Sequence, residues 1–274
     1  MSKLPSITIA DISITLDAER LKLPAAYLPF ASSNHPDIRL ALLTGPDDPA
    51  IGVKTFDSPP IWSLYRSSEG FFFRIYDSYP HLRRTLFIPD EGGRARLSFH
   101  APDHDPFVGP AFELLMITHL ARRDGVTLHG CGISTDGRGV VFAGESGAGK
   151  STLSRLWAQR EGIEILSDDR VIVRRQKGSF YLYGTPWHGE AAFAAPGGVE
   201  LRRIFFIRHG QAHAIRKLSP AGAVREMLKC SFPPLWDAGG MAAALELFHG
   251  MATSVPCAEL AFVPDSSAID FVMP

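Results

Sequence analysis

The feature that most constrains this chain is a short glycine-rich stretch, GESGAGKST, at residues 144–152. It fits the pattern G-x-x-x-x-G-K-[ST] from Gly144 to Ser151. An apolar run, GVVFAG, leads into the stretch, and an amphipathic segment, KSTLSRLWAQREG, leads out of it. This order predicts a strand, a tight loop and a helix, which is the context in which such a loop surrounds phosphate groups.

The residue types in the loop suit the binding of a nucleotide. Gly144, Gly147 and Gly149 allow backbone conformations that side chains disfavour, so the chain can wrap closely around an anion. The backbone amides and the N-terminus of the following helix add partial positive charge. We expect Lys150 to reach the terminal phosphates of ATP and the Ser151 hydroxyl to ligate Mg²⁺. The predicted nucleotide-binding residues are Gly144, Glu145, Ser146, Gly147, Ala148, Gly149, Lys150, Ser151 and Thr152.

Two adjacent acids follow the loop in ILSDDRV, residues 165–171. A strand buried on both faces has no favourable place for two carboxylates, so Asp168 and Asp169 need partners. Asp168 lies 18 positions after Lys150 (168 − 150), on the strand predicted to follow the helix of the loop. This arrangement is typical of compact phosphotransferases, in which one carboxylate holds Mg²⁺ and another orients an acceptor hydroxyl. A pair of turn residues capping a strand end is the alternative interpretation.

The combination LHGCGISTDGRGVVFAGESGAGKSTLSRLW…ILSDDRVIV resembles the catalytic domain of HPr kinase/phosphorylase. That family belongs to the same fold group as phosphoenolpyruvate carboxykinase. Its pattern runs from His-Gly on a strand, through a glycine loop and a helix, to a strand that ends in Asp-Asp. The matching positions here are His129-Gly130, residues 144–151 and Asp168-Asp169, and the resemblance covers roughly residues 125–175.

The resemblance implies transfer of a phosphoryl group from ATP to a hydroxyl, with Mg²⁺. Carried over by position, Lys150 holds the β- and γ-phosphates and Ser151 binds the metal. Asp169 takes the proton of the acceptor hydroxyl and Asp168 supports the metal or its waters, although adjacent carboxylates couple and can exchange roles. His129 matches the family histidine near the phosphates, and a core histidine with a satisfied hydrogen bond is the alternative.

The chain departs from the family pattern in and after the loop. The loop ends Lys-Ser-Thr where the family has Lys-Ser-Glu, and the family's EIRG stretch is replaced by YGTPWHGEAAF at residues 183–193. Glu190, beside His188, is the candidate for the missing metal carboxylate. A surface loop with an aromatic plug at Trp187 is the alternative.

The later arginine-rich loop, which the family uses in its phosphorylase reaction, has no recognisable counterpart. Arg202, Arg203 and Arg208 are candidates to replace its charge, and each could equally be a solvated or ion-paired strand residue. The N-terminal hundred residues do not resemble the N-terminal domain of the family. These departures leave both the protein substrate HPr and reversal by phosphorolysis open.

The predicted fold class is α/β, with a mixed β-sheet P-loop domain of the HPr kinase and phosphoenolpyruvate carboxykinase type and a β-rich N-terminal segment. Short β-like runs such as SITIADISITL and GFFFRIYDSY define the N-terminal segment, residues 1–108. Residues 109–274 are assigned to the P-loop kinase domain, and the two parts can also form one continuous domain. In the turn at residues 99–107, prolines interrupt His100 and His104, which favours a linker over a metal site.

Composition argues against several classes of partner. The chain has 28 basic and 29 acidic residues and a formal net charge of −1, so no basic surplus favours nucleic acid or an anionic membrane. Cys131, Cys230 and Cys257 form no CxxC pair or zinc pattern, which favours a cytoplasmic location. The N-terminal stretch lacks the apolar core of a signal peptide, and no run reaches the ~18 apolar residues of a spanning helix.

The expected function is that of an ATP-dependent kinase acting on a hydroxyl, either a serine of a small protein or precursor peptide or a free small molecule. The peptide acceptor is an implication of the resemblance, because kinases of this group also occur beside peptide-maturation enzymes. Two alternatives stay open: a carboxykinase-like phosphotransferase that acts on a small molecule, and a non-catalytic regulator that senses ATP. The sequence does not identify the acceptor, and the family's tendency to assemble is compatible with a homo-oligomer.

Overall fold

The computed structural model describes residues 4–18, 21–45, 52–78, 80–91, 93–100 and 105–272. The chain divides into two compact units, Met1–Thr118 and His119–Pro274. The boundary between them falls inside a helix, ten residues after the boundary predicted between residues 108 and 109. Of the two histidines in the turn at residues 99–107, His100 lies 2.9 Å from the Thr85 hydroxyl through its Nε2, and His104 lies outside the described residues.

The first unit is built on a sheet with the strand order β1-β2-β3-β8-β7-β6-β5-β4. The pairs β2–β3 and β3–β8 are parallel and the other neighbours are antiparallel. The strands are β1 (Ser6–Ile9), β2 (Ile12–Asp17), β3 (Ile38–Thr44), β4 (Val53–Ser58), β5 (Trp62–Arg66), β6 (Gly70–Ser78), β7 (His81–Pro89) and β8 (Ala95–Phe99). A 3₁₀ helix (Ala25–Phe30) follows β2, and helix α1 (Ala111–Ala121) follows β8 and contains the boundary between the units.

Local sequence explains the first hairpin of this sheet. Apolar residues alternate with polar ones in SITIADISITL, the period of a strand, and Ile7, Ile9, Ile12 and Ile14 are fully buried. Ala10 and Asp11 form the two-residue connection between β1 and β2, and both have positive φ (50° and 57°). Two-residue hairpins favour such turns because their twist matches that of the strands.

The second unit contains a mixed sheet with the order β10-β9-β12-β13-β14-β16-β15, and β11 pairs with β9 beside β12. The strands are β9 (Gly125–Thr135), β10 (Arg138–Ala143), β11 (Ile163–Ser167), β12 (Arg170–Gln176), β13 (Ser179–Tyr183), β14 (Gly198–His209), β15 (Ala214–Lys217) and β16 (Cys257–Phe262). β14 runs parallel to both β10 and β16. The predicted mixed α/β architecture is thus confirmed.

Helices cover both faces of this sheet. They are α2 (Lys150–Trp157), α3 (Pro220–Lys229), α4 (Ala238–Ser254) and α5 (Ser267–Val272). On one face, Phe142 packs in a cluster with residues of α2 and α5, such as Trp157 and Ile269. On the other face, Val141 packs in a cluster with residues of α3 and α4, such as Phe248. Because β10 is buried on both faces, its sequence is a continuous apolar run without alternation.

Two further observations concern the state of the cysteines and the length of the helices. Cys131, Cys230 and Cys257 are all buried and carry free thiols. Among the helices of the described ranges, none is both long enough and apolar enough to cross a bilayer.

Candidate functional site

The glycine loop, residues 144–149, joins the end of β10 to the start of α2, as the sequence predicts. Gly147 and Gly149 have positive φ (80° and 96°), a conformation that favours glycine. A Cβ at Gly149 would lie 2.8 Å from the Phe262 ring, so this position also has no room for a side chain. The loop therefore turns tightly, and the chain continues from it directly into α2.

Lys150 is buried and holds the loop in its present shape. Its ammonium donates hydrogen bonds to the carbonyl oxygens of Gly144 (3.0 Å) and Glu145 (2.8 Å). Burial lowers the pKa of Lys150 below its usual value, and the nearby charge of Asp169 opposes this effect. A cation held by weak neutral acceptors next to an open cavity can be released to a stronger, anionic acceptor.

The end of β14 supports the other flank of the loop. The Nε2–H of His209 donates to the Gly147 carbonyl oxygen at 2.7 Å. A Cβ on Gly144 would lie 3.1 Å from the Ile207 side chain, so the loop passes close to this strand. Sequence reasoning did not find His209, because only the parallel pairing of β10 with β14 brings it to the loop.

Strand β9 places the two predicted motifs next to each other. One edge of β9 pairs with β10, which leads into the glycine loop, and the other pairs with β11 and β12, which enclose the acid pair. His129 lies at the junction: its carbonyl oxygen accepts from the Gly144 amide at 3.1 Å, and it pairs across the sheet with Arg170. The amide of Gly130 donates to the Asp169 carbonyl oxygen at 3.0 Å.

Asp169 points towards cations. His129 Nε2 lies 3.0 Å from Asp169 Oδ1, and because an ionised carboxylate only accepts, this ring nitrogen carries the proton. The Arg170 guanidinium forms an ion pair with the other oxygen of Asp169 and lies 4.3 Å above the centre of the Phe232 ring. Burial opposes ionisation of Asp169, but the hydrogen bond from His129 and the charges of Arg170, His129 and Lys150 outweigh it and hold its pKa below the usual value.

Backbone amides, rather than cationic side chains, surround the Asp168 carboxylate. It has no exposed surface, and its carboxylate accepts hydrogen bonds from three backbone amides: Gly189 (3.0 Å), Ala191 (2.8 Å) and Phe193 (3.3 Å). Amide hydrogen bonds can compensate a buried carboxylate in the absence of a metal. These hydrogen bonds make Asp168 the anchor of the loop at residues 185–195, and its predicted metal-supporting role stays a prediction.

Other contacts fasten the same loop to the turn between β11 and β12. The Thr185 hydroxyl donates to the Arg170 carbonyl oxygen at 2.6 Å, and the Ala195 amide donates to the Leu166 carbonyl oxygen at 2.9 Å. Gly184 has no space for a Cβ, which would lie 2.0 Å from the Ala195 carbonyl oxygen. The loop is therefore held at both ends and in the middle, and it carries Glu190 to the same side as Asp169.

A cavity of about 370 Å³ is lined both by residues of the glycine loop and by Asp169 of the acid pair. Its lining residues are His129, Ser146, Gly147, Gly149, Lys150, Ser151, Thr152, Arg155, Asp169, Gly189, Glu190 and His209. The predicted residues Asp168, Gly144, Glu145 and Ala148 are not among them. Arg155 was missed by sequence reasoning, although its position four residues after Ser151, on the same face of α2, is a usable signal.

Three other predicted residues do not line the cavity: His188, Arg202 and Arg203. His188 is exposed, with its Nδ1 3.0 Å from the Gly189 carbonyl oxygen. Arg202 pairs with Glu200 at 2.6 Å, and Arg203 lies 5.6 Å from the centre of the Phe205 ring. In the ranges that the structure describes, no group of three histidine, cysteine, aspartate or glutamate side chains is arranged to hold a metal ion.

Comparison with known proteins gives a partial similarity. No family model matches the chain. Over 107 residues it is 27% identical to the HPr kinase/phosphorylase of Mycoplasmopsis pulmonis (strain UAB CTIP). The match covers 39% of this chain and 31% of that protein, so it spans less than a third of the relative's length. This similarity supports a kinase-like relationship.

The pKa of Asp169 should depend on His129. Replacement His129→Leu removes the hydrogen bond that the His129 ring donates to the carboxylate, so the pKa of Asp169 should rise. The lowered pKa means that ionised Asp169 stabilises the fold above its unfolded-state pKa of about 3.9, and this stabilisation is lost as the pH falls through the folded value. Carboxyl ¹³C NMR titration of both proteins measures the change, and an identical or lower pKa in the variant would contradict the assigned contact.

Substitution of Asp168 should release the loop at residues 185–195. In Asp168→Asn, one carboxylate oxygen becomes an NH₂ group that cannot accept from an amide, at a cost of about 1–3 kcal/mol. Amide hydrogen exchange in this loop should therefore accelerate, whereas the matched variant Asp169→Asn should leave it unchanged. Unchanged exchange in Asp168→Asn together with a loss of Mg²⁺ affinity would instead identify Asp168 as a metal ligand.

Proposed function

We propose that this protein is an ATP-dependent kinase that transfers the γ-phosphoryl group of ATP to a hydroxyl, and that the acceptor is a serine of a small protein or peptide. The observation that carries the proposal is the shared cavity: Lys150 and Ser151 of the glycine loop line it together with Asp169. A phosphate-binding loop and a carboxylate facing one space are what in-line phosphoryl transfer requires. The partial similarity to an HPr kinase/phosphorylase supports the same reaction class.

The loop fits a triphosphate. Open space surrounds the position of a Cβ at Gly147, so an anion can approach the backbone there. Lys150 exchanges its two carbonyl acceptors for phosphate oxygens, which form stronger hydrogen bonds with an ammonium group. Arg155 at the cavity adds a further positive charge towards the phosphates.

Asp169 and His129 act on the acceptor. Asp169 accepts the hydrogen bond of the acceptor hydroxyl and orients its oxygen towards the γ-phosphorus. As the new O–P bond forms, the bond from the γ-phosphorus to the β,γ-bridging oxygen breaks, the hydroxyl proton passes to Asp169, and ADP leaves. Because its cationic partners lower the pKa of Asp169, the carboxylate works mainly by orientation, as expected for a loose transition state.

A magnesium ion is compatible with the residues of the cavity. In phosphotransferases Mg²⁺ keeps several waters and binds through one or two protein oxygens together with substrate phosphates, so a cluster of three protein acids is not needed. The Ser151 hydroxyl and the exposed Glu190 carboxylate line the cavity and would hold the ion. The ion would neutralise charge on the transferring phosphoryl group.

The proposed reaction can be tested with unfractionated acceptors. Incubation of the protein with Mg-ATP and peptides and small proteins from its source should produce a species that gains one phosphoryl group, detected by mass spectrometry. Asp169→Asn should lower the rate by at least about a hundredfold, because the acceptor hydroxyl loses the carboxylate that orients it and receives its proton. The control Asp270→Asn, at a carboxylate that is 69% exposed and does not line the cavity, should keep the wild-type rate.

The outcomes separate the competing functions. Tight ATP binding without transfer to any acceptor would contradict the kinase proposal and favour an ATP-sensing regulator. Formation of phosphoenolpyruvate from oxaloacetate would favour carboxykinase-like chemistry. Normal transfer by Asp169→Asn would contradict the role of that carboxylate alone.

A further inference from the structure

A second cavity adjoins the glycine loop on the side of β14. It has a volume of about 270 Å³ and is bounded by loop residues 144–148, by residues 206–209 at the end of β14, and by the end of α3. Ser146, Gly147 and His209 line both cavities. The two spaces therefore meet at the tip of the loop.

Charged side chains form one wall of this second cavity. The Glu226 side chain is only 9% exposed, and its two oxygens accept from Arg208 Nη2 (2.8 Å) and Lys229 Nζ (2.9 Å). Burial opposes ionisation of Glu226, but Lys229, Arg208 and Arg225 hold its pKa below the usual value. Arg208 Nε also donates to Glu259 at 2.7 Å, so the guanidinium is fixed from two sides. The wall presents the ionised Glu226 carboxylate together with the cations Arg208 and Lys229.

We propose that this second cavity holds the nucleoside of the bound nucleoside triphosphate. The inference rests on the proposed function. For transfer, the γ-phosphoryl group has to face Asp169, which lies beyond β9, so the nucleoside has to leave the loop in the other direction. β10 has β9 on one side and β14 on the other, and the space at the end of β14 lies in that direction.

The chemistry of the lining suits a ribose and a base. Ala148, Ile207 and Cys230 provide apolar surface next to the loop, which a flat aromatic base can cover. A carboxylate is a suitable acceptor for ribose hydroxyls, and Glu226 occupies this position. Arg208 and Lys229 add positive charge where the α-phosphate would leave the loop.

Photo-cross-linking of the full chain with 8-azido-ATP tests the site directly, because the azide is carried by the base. Peptide mapping should locate the label within residues 206–209 or 226–230, and excess ATP should prevent labelling. In addition, ATP should bind at least about tenfold more tightly than tripolyphosphate, which has no nucleoside to bury.

A pair of variants tests the contact with the ribose. Wild-type protein should bind ATP about three- to tenfold more tightly than 2′,3′-dideoxy-ATP, and Glu226→Gln should reduce this preference. The control Glu246→Gln, at a carboxylate that is 70% exposed, should keep it. The ratio of two affinities is insensitive to a general loss of stability in either variant.

The outcomes distinguish this inference from the proposed function. If excess ATP prevents labelling but the label lies only in other segments, the nucleoside site is overturned and the kinase proposal stands. Equal affinities for ATP and tripolyphosphate would also overturn the nucleoside site. Failure of ATP to bind at all would overturn both proposals.

Discussion

The site depends on the neutralisation of one buried charge. The Asp168 carboxylate has no contact with solvent, and an uncompensated charge in such a place would be strongly destabilising. The amides of Gly189, Ala191 and Phe193 compensate it, and in doing so they fix the path of a loop that follows much later in the chain. The Asp168 side chain is directed into the protein, whereas its neighbour Asp169 lines the cavity.

Strand β9 joins the two halves of the site. It pairs with β10 on one edge and with β11 and β12 on the other, so the glycine loop and the acid pair emerge side by side. His129 contacts both halves, through its carbonyl oxygen to Gly144 and through its ring to Asp169. His129, Arg170 and Lys150 surround the Asp169 carboxylate, and under the proposed function this environment suits orientation of a hydroxyl more than removal of its proton.

Local features of the fold and site could be predicted from the sequence. The glycine loop was recognisable because its pattern depends on residues adjacent in the chain, and the strand before it and the helix after it are present. The acid pair was predicted to lie on one continuous strand after the helix, whereas it lies in the turn that joins β11 to β12. The different environments of Asp168 and Asp169 were not predictable, since the burial of Asp168 depends on amides more than twenty positions away. His209 was equally inaccessible as a site residue, because parallel pairing of β14 with β10 leaves no local signal.

The measurement that tests the central claim most directly is a crystal structure of the protein with Mg²⁺ and a non-hydrolysable ATP analogue. We predict that Lys150 Nζ leaves the carbonyl oxygens of Gly144 and Glu145 and lies within about 3.2 Å of β- or γ-phosphate oxygens. We also predict that the γ-phosphate faces the Asp169 carboxylate. A nucleotide bound away from residues 144–151, or a γ-phosphate directed away from Asp169, would contradict the assignment of this cavity as a phosphoryl-transfer centre.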